Sequence, residues 1–264
     1  MALATTRIGA ADAPRSIVML HGIYGRGRNW QGIAKALVGR RPEYACWLVD
    51  LPHHGDSGPG ENGDTVRGLA QDVAGWAVES VPDLTSILGH SFGGKVALAV
   101  AEHRRTVPLD VWVIDSTPEA KPASGSAWDM MRVIGEMPSA FGSRDEAVAG
   151  LQAAGYSQGV AVWMATNLRR DGDVFRWSID FTAMRRLLDD FFVTDLWETV
   201  VAGAPGQRFS FVKASESSAM SEAAATRLEA LASDQVRLFR RQGSHWLHAE
   251  SPEIVIELLA DELP

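Results

Sequence analysis

The sequence predicts an α/β fold, a mostly parallel β-sheet flanked by helices with one helical insertion. Three observations carry that reading. Short apolar runs that suit strands buried on both faces recur at residues 16–20, 44–51 and 109–115. Segments with helical spacing of their apolar residues separate them. The alternation breaks at Pro118 and resumes near residue 207.

The first run, residues 16–20, ends at His21-Gly22, and residues 30–37 then have helical spacing. A second strand at 44–51 ends in the turn-rich stretch Pro52-His53-His54-Gly55-Asp56-Ser57-Gly58. Residues 65–81 form an amphipathic helix with Val66, Leu69, Ala70, Val73, Ala77 and Val78 on one face. Thr85 to Leu88 leads into Gly89-His90-Ser91-Phe92-Gly93, a run of small and apolar residues follows, and residues 109–115 are the next strand. Between 118 and 200 the sequence suggests helices and no strand, with five of eight methionines, four of nine tryptophans and five of nine phenylalanines. This divides the chain into a core of residues 1–117 and 201–264 and a helical cap at 118–200, with a hinge at 117–126 rich in Pro, Ser, Ala and Gly. Strand 207–213, helix 221–232, strand 236–240 and helix 252–263 complete the core.

The bulk properties narrow the partners. At 264 residues, 46% hydrophobic and 22% charged, the chain has ordinary globular composition. A net charge of −8 argues against a nucleic-acid surface and against anionic membranes as general partners. No apolar run approaches a bilayer span. Residues 1–14 lack the apolar centre of an export signal, so a cytoplasmic location is expected. The single cysteine, Cys46, lies in an apolar run and reads as buried filler.

Gly89-His90-Ser91-Phe92-Gly93 is a G-x-S-x-G motif between a strand and a helix. At such a turn the serine hydroxyl is pushed out at the carboxyl edge of the sheet, and glycines relieve the crowding at the corner. Ser91 is the candidate nucleophile. A competing reading takes Gly89 to Lys95 as a phosphate-binding G-x-x-x-x-G-K loop, with Asp115 ending a magnesium-holding strand. Val96 stands where that loop needs Ser or Thr, and His90, Ser91 and Phe92 are bulky for a phosphate cradle. Lys95 is then expected to be a solvated lysine in the first turn of a helix.

A serine needs a base to take its proton, and the base needs a carboxylate to orient it. His245, in Gly243-Ser244-His245-Trp246 just past the last predicted strand, is placed to be that base. His248 is expected to be a structural hydrogen-bonder, while His21 and His90 shape loops. The pair His53-His54 has no third ligand at a suitable spacing, so neither metal nor cofactor is expected. Two carboxylates compete to orient His245. Asp115 ends the strand after the serine's helix and is preferred as a short group on a rigid strand end. Glu216, after the next strand, is the alternative acid. The backbone N–H groups of Ile23 and Phe92 are the expected oxyanion donors.

These features together resemble the α/β-hydrolases. Within them the chain is similar to the group of small bacterial YbfF-type esterases and abhydrolase-domain-containing protein 11 hydrolases. The resemblance rests on His21-Gly22-Ile23-Tyr24-Gly25 with Asn29-Trp30, on His54-Gly55-Asp56-Ser57, on Leu88 through Ala97, and on Ile114-Asp115-Ser116-Thr117-Pro118. Trp163-Met164-Ala165-Thr166-Asn167-Leu168, Phe175-Arg176-Trp177 and Gly243 through Glu250 extend it across the insertion to the end of the chain. It implies Asp115 as the acid and Ser217 as a supporting hydrogen-bond partner. Ala214-Ser215-Glu216 replaces a glycine-rich stretch of that group, which keeps Glu216 as a second carboxylate.

The expected activity is a serine hydrolase of small apolar acyl esters or thioesters, with the Met- and aromatic-rich cap forming an apolar acyl pocket. The alternatives are the same triad in carbon–carbon bond hydrolysis or cofactor-free haloperoxidation, and a non-enzymatic receptor for a small ligand.

Overall fold

A computed structural model of the chain describes residues 3–264, so the first two residues of the N-terminal stretch lie outside it. The chain opens with β1 (Thr5–Ile8), β2 (Arg15–Leu20) and α1 (Gln31–Arg40), the helix being entered through a 3-10 turn at Gly27–Trp30. β3 (Tyr44–Val49), α2 (Val66–Ser80), β4 (Leu84–His90), α3 (Phe92–His103) and β5 (Leu109–Ile114) follow. A helical segment comes next, with α4 (Ser126–Glu136), α5 (Arg144–Ala153), α6 (Gln158–Ala165), the strands β6 (Leu168–Asp171) and β7 (Val174–Trp177), α7 (Phe181–Val193) and α8 (Trp197–Val201). β8 (Gln207–Ala214), α9 (Glu222–Ala230), β9 (Val236–Arg241), α10 (Leu247–Glu250) and α11 (Pro252–Glu262) end the chain.

The main sheet runs β1-β3-β2-β4-β5-β8-β9, parallel throughout except for β1, which pairs antiparallel with β3. Alternate residues of β2 point to opposite faces, as the period of a strand requires. Ile17 and Met19 pack with Ile33 and Leu37 of α1 and Val255 and Leu259 of α11. Val18 and Leu20 pack with Leu69 and Val73 of α2 and Val96 and Val100 of α3. Both faces are therefore dry, which is why these strands read as unbroken apolar runs. Truncating a buried anchor such as Leu259 to Ala is expected to cost about 2–5 kcal/mol.

Two elements depart from the sequence expectation. β1 is a half-exposed edge strand without an apolar run to announce it. The segment between β5 and β8, expected to be purely helical, contains the β6–β7 hairpin. Its turn is Gly172-Asp173, with Gly172 at φ 60, the positive angle that such tight turns favour. Among the described residues, no helix is long and apolar enough to cross a membrane.

The consequence for function is one of direction. Because β2, β4, β5, β8 and β9 run parallel, the residues after their carboxyl ends share one edge of the sheet. His21, Ser91, Asp115, Glu216 and His245 are all such residues.

Candidate active site

Ser91 sits between β4 and α3 with φ 52 and ψ −117, a conformation that costs a non-glycine residue of order 1–3 kcal/mol. The surroundings enforce it. Ser91 N–H donates to Ile114 O at 2.9 Å, while the Ser91 carbonyl accepts from Gly94 N at 3.0 Å. A Cβ at position 89 would run into the Gly93 carbonyl, and one at position 93 into the carbonyls of Leu20 and His21. The corner can close only with glycine at both positions.

His245 Nε2 lies 3.0 Å from Ser91 Oγ, and its Nδ1 lies 2.6 Å from Asp115 Oδ2. With Nδ1–H donating to the carboxylate, Nε2 is the acceptor for the serine hydroxyl. Asp115 is fully buried, also has a positive φ of 47, and is held by its own backbone. Its N–H donates to Val212 O at 2.8 Å, and its Oδ1 accepts from Ala214 N at 3.0 Å. Both carboxylate oxygens are thus engaged, one by the β8 backbone and one by the imidazole.

The other candidates sort themselves around this centre. Glu216 is exposed and its carboxylate accepts from Gln242 Nε2, so it does not meet His245. Ser217 Oγ accepts from Ala219 N at 3.1 Å, and among the described residues it makes no hydrogen bond to His245 or Asp115. The N–H groups of Ile23 and Phe92 have no protein acceptor among the described residues, and both residues line the cavity that contains Ser91. The loop carrying Ile23 is braced, since His54 Nε2 donates to the Ile23 carbonyl and Asn167 Nδ2 donates to the Tyr24 carbonyl at 2.7 Å. Neither brace leaves a local mark in the sequence, because His54 is 31 residues from Ile23 and Asn167 is 143 residues from Tyr24.

The histidines behind Ser91 form a dry stack. The rings of His90 and His248 are 3.9 Å apart, and those of His90 and His245 are 4.7 Å apart. His90 Nε2–H donates to the His245 carbonyl at 2.8 Å. Burial holds His90 well below the ordinary histidine range and pulls His248 down to about 3. Among the described residues His248 Nδ1 has no hydrogen-bond partner, and the ring packs on those of Trp30 and His90, where a hydrogen-bonding role was expected. His21 keeps its loop role, with Nδ1 donating to Gly22 O and Nε2 accepting from Leu51 N.

Lys95 corrects a second expectation. It is fully buried, not solvated, and Nζ donates to the carbonyls of Glu119, Phe191 and Thr194 at 2.8, 2.7 and 2.9 Å. Burial pulls its ammonium down to about 7. All three of its N–H groups are spent on carbonyls, leaving none to meet a phosphate. Among the described residues, no group of three or more His, Cys, Asp or Glu is placed to hold a metal ion. Cys46 is buried, and burial pushes its thiol up to about 12, which keeps it unreactive.

The cavity beside Ser91 measures about 180 Å³. Leu188, Phe191 and Phe192 of α7 supply an apolar wall, while Lys121, Ser124 and the 216–218 loop supply a polar one. The expected apolar pocket is therefore mixed. In an adjoining cavity that also touches Ser91, Tyr24, Met130, Trp163 and Trp246 enclose only about 10 Å³, room for one water-sized group.

Comparison with known proteins agrees with this architecture. Residues 17–258 match the sequence model of the alpha/beta hydrolase family. The chain is 27% identical to the Mus musculus sn-1-specific diacylglycerol lipase ABHD11, over 93% of this chain and 79% of that protein. The Danio rerio protein of the same name is 24% identical over 89% of this chain and 74% of its own length. A marine microorganism esterase superposes with a TM-score of 0.79 at 21% identity, covering 99% of both chains. The thioesterase domain from the curacin biosynthetic pathway superposes at 0.72 with 19% identity, covering 97% of this chain and 94% of that one. The match runs from β2 into α11 and takes in the serine turn, the strand ends and the intervening helical segment, so this chain belongs to the alpha/beta hydrolase family.

Proposed function

We propose that this protein is a serine hydrolase that cleaves carboxylic esters or thioesters through an acyl-enzyme on Ser91. The observation that carries this reading is the continuous line from Ser91 Oγ through His245 to Asp115, with contacts of 3.0 and 2.6 Å. Ser91 attacks the carbonyl carbon while His245 Nε2 takes the hydroxyl proton. Asp115 stabilises the imidazolium that forms. The N–H groups of Ile23 and Phe92 receive the oxyanion, and each such donor contributes about 3–4 kcal/mol to the transition state. His245 then protonates the leaving alcohol or thiol, and water repeats the sequence to release the acid.

Residues 118–200 act in this reading as a cap over the sheet edge, with α4 and α7 closing the substrate cavity. The cavity, at about 180 Å³, falls below the roughly 300–1,000 Å³ of sites for drug-sized ligands. That size favours short ester arms over the paired long chains of a diacylglycerol.

A fluorophosphonate probe followed by peptide mass spectrometry tests the assignment. Ser91 is expected to carry the label, and Ser91→Ala is expected to take none. A panel of p-nitrophenyl esters from acetate to octanoate supplies the second readout. Absence of turnover at every chain length, together with an unlabelled Ser91, overturns the proposal.

A further inference from the structure

Two lysines approach the catalytic edge, and their hydrogen bonding sets them apart. Lys95 has three N–H groups and three carbonyl acceptors, so its bonding is complete. Lys121 has only two acceptors, Ala219 O at 2.7 Å and Ser218 O at 3.2 Å. An ammonium has three donors, so one N–H of Lys121 has no protein acceptor among the described residues. No carboxylate lies within ion-pairing distance of it among the described residues either.

Lys121 is also a wall of the cavity that holds Ser91. Its backbone is fixed, with N–H donating to Phe192 O at 2.9 Å, and the carbonyls of 218 and 219 in the same polar wall hold its ammonium. The cavity's other charged lining groups are occupied. Asp115 is committed to His245 and Ala214 N, and Glu216 sits at the exposed rim, bonded to Gln242. Half-burial draws the Lys121 ammonium below the ordinary lysine range, against the weaker opposing pull of the Glu119 and Asp115 carboxylates, neither of which pairs with it directly. A cation that is partly desolvated and short of one acceptor gains most from an anion delivered by a ligand.

We infer that this cavity takes an ester arm bearing a carboxylate, which the Lys121 ammonium receives. The substrate class is then a monoester of a short dicarboxylic acid, or a short acyl ester of a hydroxy acid. The space of about 10 Å³ in the adjoining cavity at Ser91 favours a small second arm. This inference rests on the hydrolase reading of Ser91. Lys121 binds the far end of the substrate and takes no part in the bond changes.

The test compares shape-matched esters that differ in charge. Monomethyl glutarate is set against methyl 5-methylhexanoate, in which an isopropyl group replaces the carboxylate. 4-Acetoxybutanoate, set against 4-methylpentyl acetate, places the acid on the alcohol side. The wild-type protein is expected to prefer the charged member of at least one pair in kcat/KM. In Lys121→Met that preference ratio is expected to fall by about 10- to 100-fold, the range for one hydrogen bond to a charged group. Lys121→Arg, which keeps the cation, is expected to retain most of it. Free glutarate is expected to inhibit the wild type competitively, a readout that needs no variant. Equal or better turnover of the neutral member of both pairs by the wild type overturns the inference. So does a fall in Lys121→Met that is shared equally by charged and neutral esters. If Ser91 takes the fluorophosphonate label and the esters are cleaved without charge preference, the hydrolase reading stands and only the role of Lys121 fails. If Ser91 is not labelled and no ester is cleaved, both fall.

Discussion

Asn167 donates from Nδ2 to the Tyr24 carbonyl at 2.7 Å, and Tyr24 is the neighbour of Ile23, the proposed oxyanion donor. The same side chain accepts from Arg26 Nη2, while its carbonyl accepts from both Ser178 N and Ser178 Oγ. The segment between β5 and β8 thereby grips the loop that must hold an N–H group in place. Tyr24 returns the contact by donating its hydroxyl to Ala127 O at 2.8 Å. Asn167→Ala is expected to lower kcat by about 10- to 100-fold, because a displaced oxyanion donor forfeits transition-state stabilisation. KM is expected to change little. A trifluoromethyl ketone should lose affinity in parallel with kcat, and an unchanged inhibition constant would show that Asn167 does not act through the oxyanion loop.

The acid is decided by a pair of isosteric changes. Asp115→Asn keeps the shape but removes the acceptor that holds Nδ1–H, so His245 turns to the wrong tautomer for taking the serine proton. A loss of about 10³- to 10⁴-fold in kcat is expected. Glu216→Gln is expected to keep turnover of a neutral ester within about threefold, as befits an exposed rim position. A large loss in the second variant alone would transfer the orienting role to Glu216.

The sheet and the side chains that meet at its carboxyl edge are legible in the sequence because each leaves a local mark. Strands buried on both faces become apolar runs, and residues 17–20 are such a run. Ser91 is marked by Gly89 and Gly93, and His245 follows the last strand. What escaped is what depends on contacts distant in sequence. Lys95 lies in a helix whose apolar residues suggest one buried face and a wet lysine, yet the carbonyls that bury it come from residues 119, 191 and 194. The β6–β7 hairpin has exposed arginines, Arg169, Arg170 and Arg176, and its apolar anchor Phe175, paired with Arg170 inside the hairpin, also bridges to the distant Phe141. The polar wall of the cavity joins residues 121–124 to residues 216–219, and neither segment alone indicates a site.

Lys95 ties the segment between β5 and β8 to the helix that carries Ser91, through Glu119 near its start and Phe191 and Thr194 at the close of α7. Replacing it with Met removes a buried ammonium but strands three dry carbonyls, each of which costs about 1–3 kcal/mol when left unpaired. The relief of desolvation offsets part of that. Lys95→Met is expected to lower stability to urea by about 2–4 kcal/mol. Faster hydrogen exchange should appear at the carboxyl end of α7 before it appears in β4. Unchanged stability and exchange would show that the tether is dispensable.

The dry histidines set the response to acid. His21, His54, His90 and His248 are all held below the ordinary histidine value of 6.5, chiefly by burial, and His248 is pulled down to about 3. An unfolded chain exposes them with ordinary affinity for protons. As pH falls from 7 to 5 the unfolded state therefore takes up protons that the folded state refuses, and unfolding becomes easier. The slope approaches about 1.4 kcal/mol per pH unit for each histidine that stays neutral. Asp64 and Glu102, whose carboxyls are lowered in the fold, begin to matter only nearer pH 4, and Lys95, drawn down to about 7, adds to the slope only near pH 7, so the window from 6 to 5 isolates the imidazoles. Urea unfolding at pH 7, 6 and 5 should show this decline, and His248→Gln should make it shallower by about one histidine's share. An identical slope in the variant would mean that His248 takes up its proton while the protein is still folded.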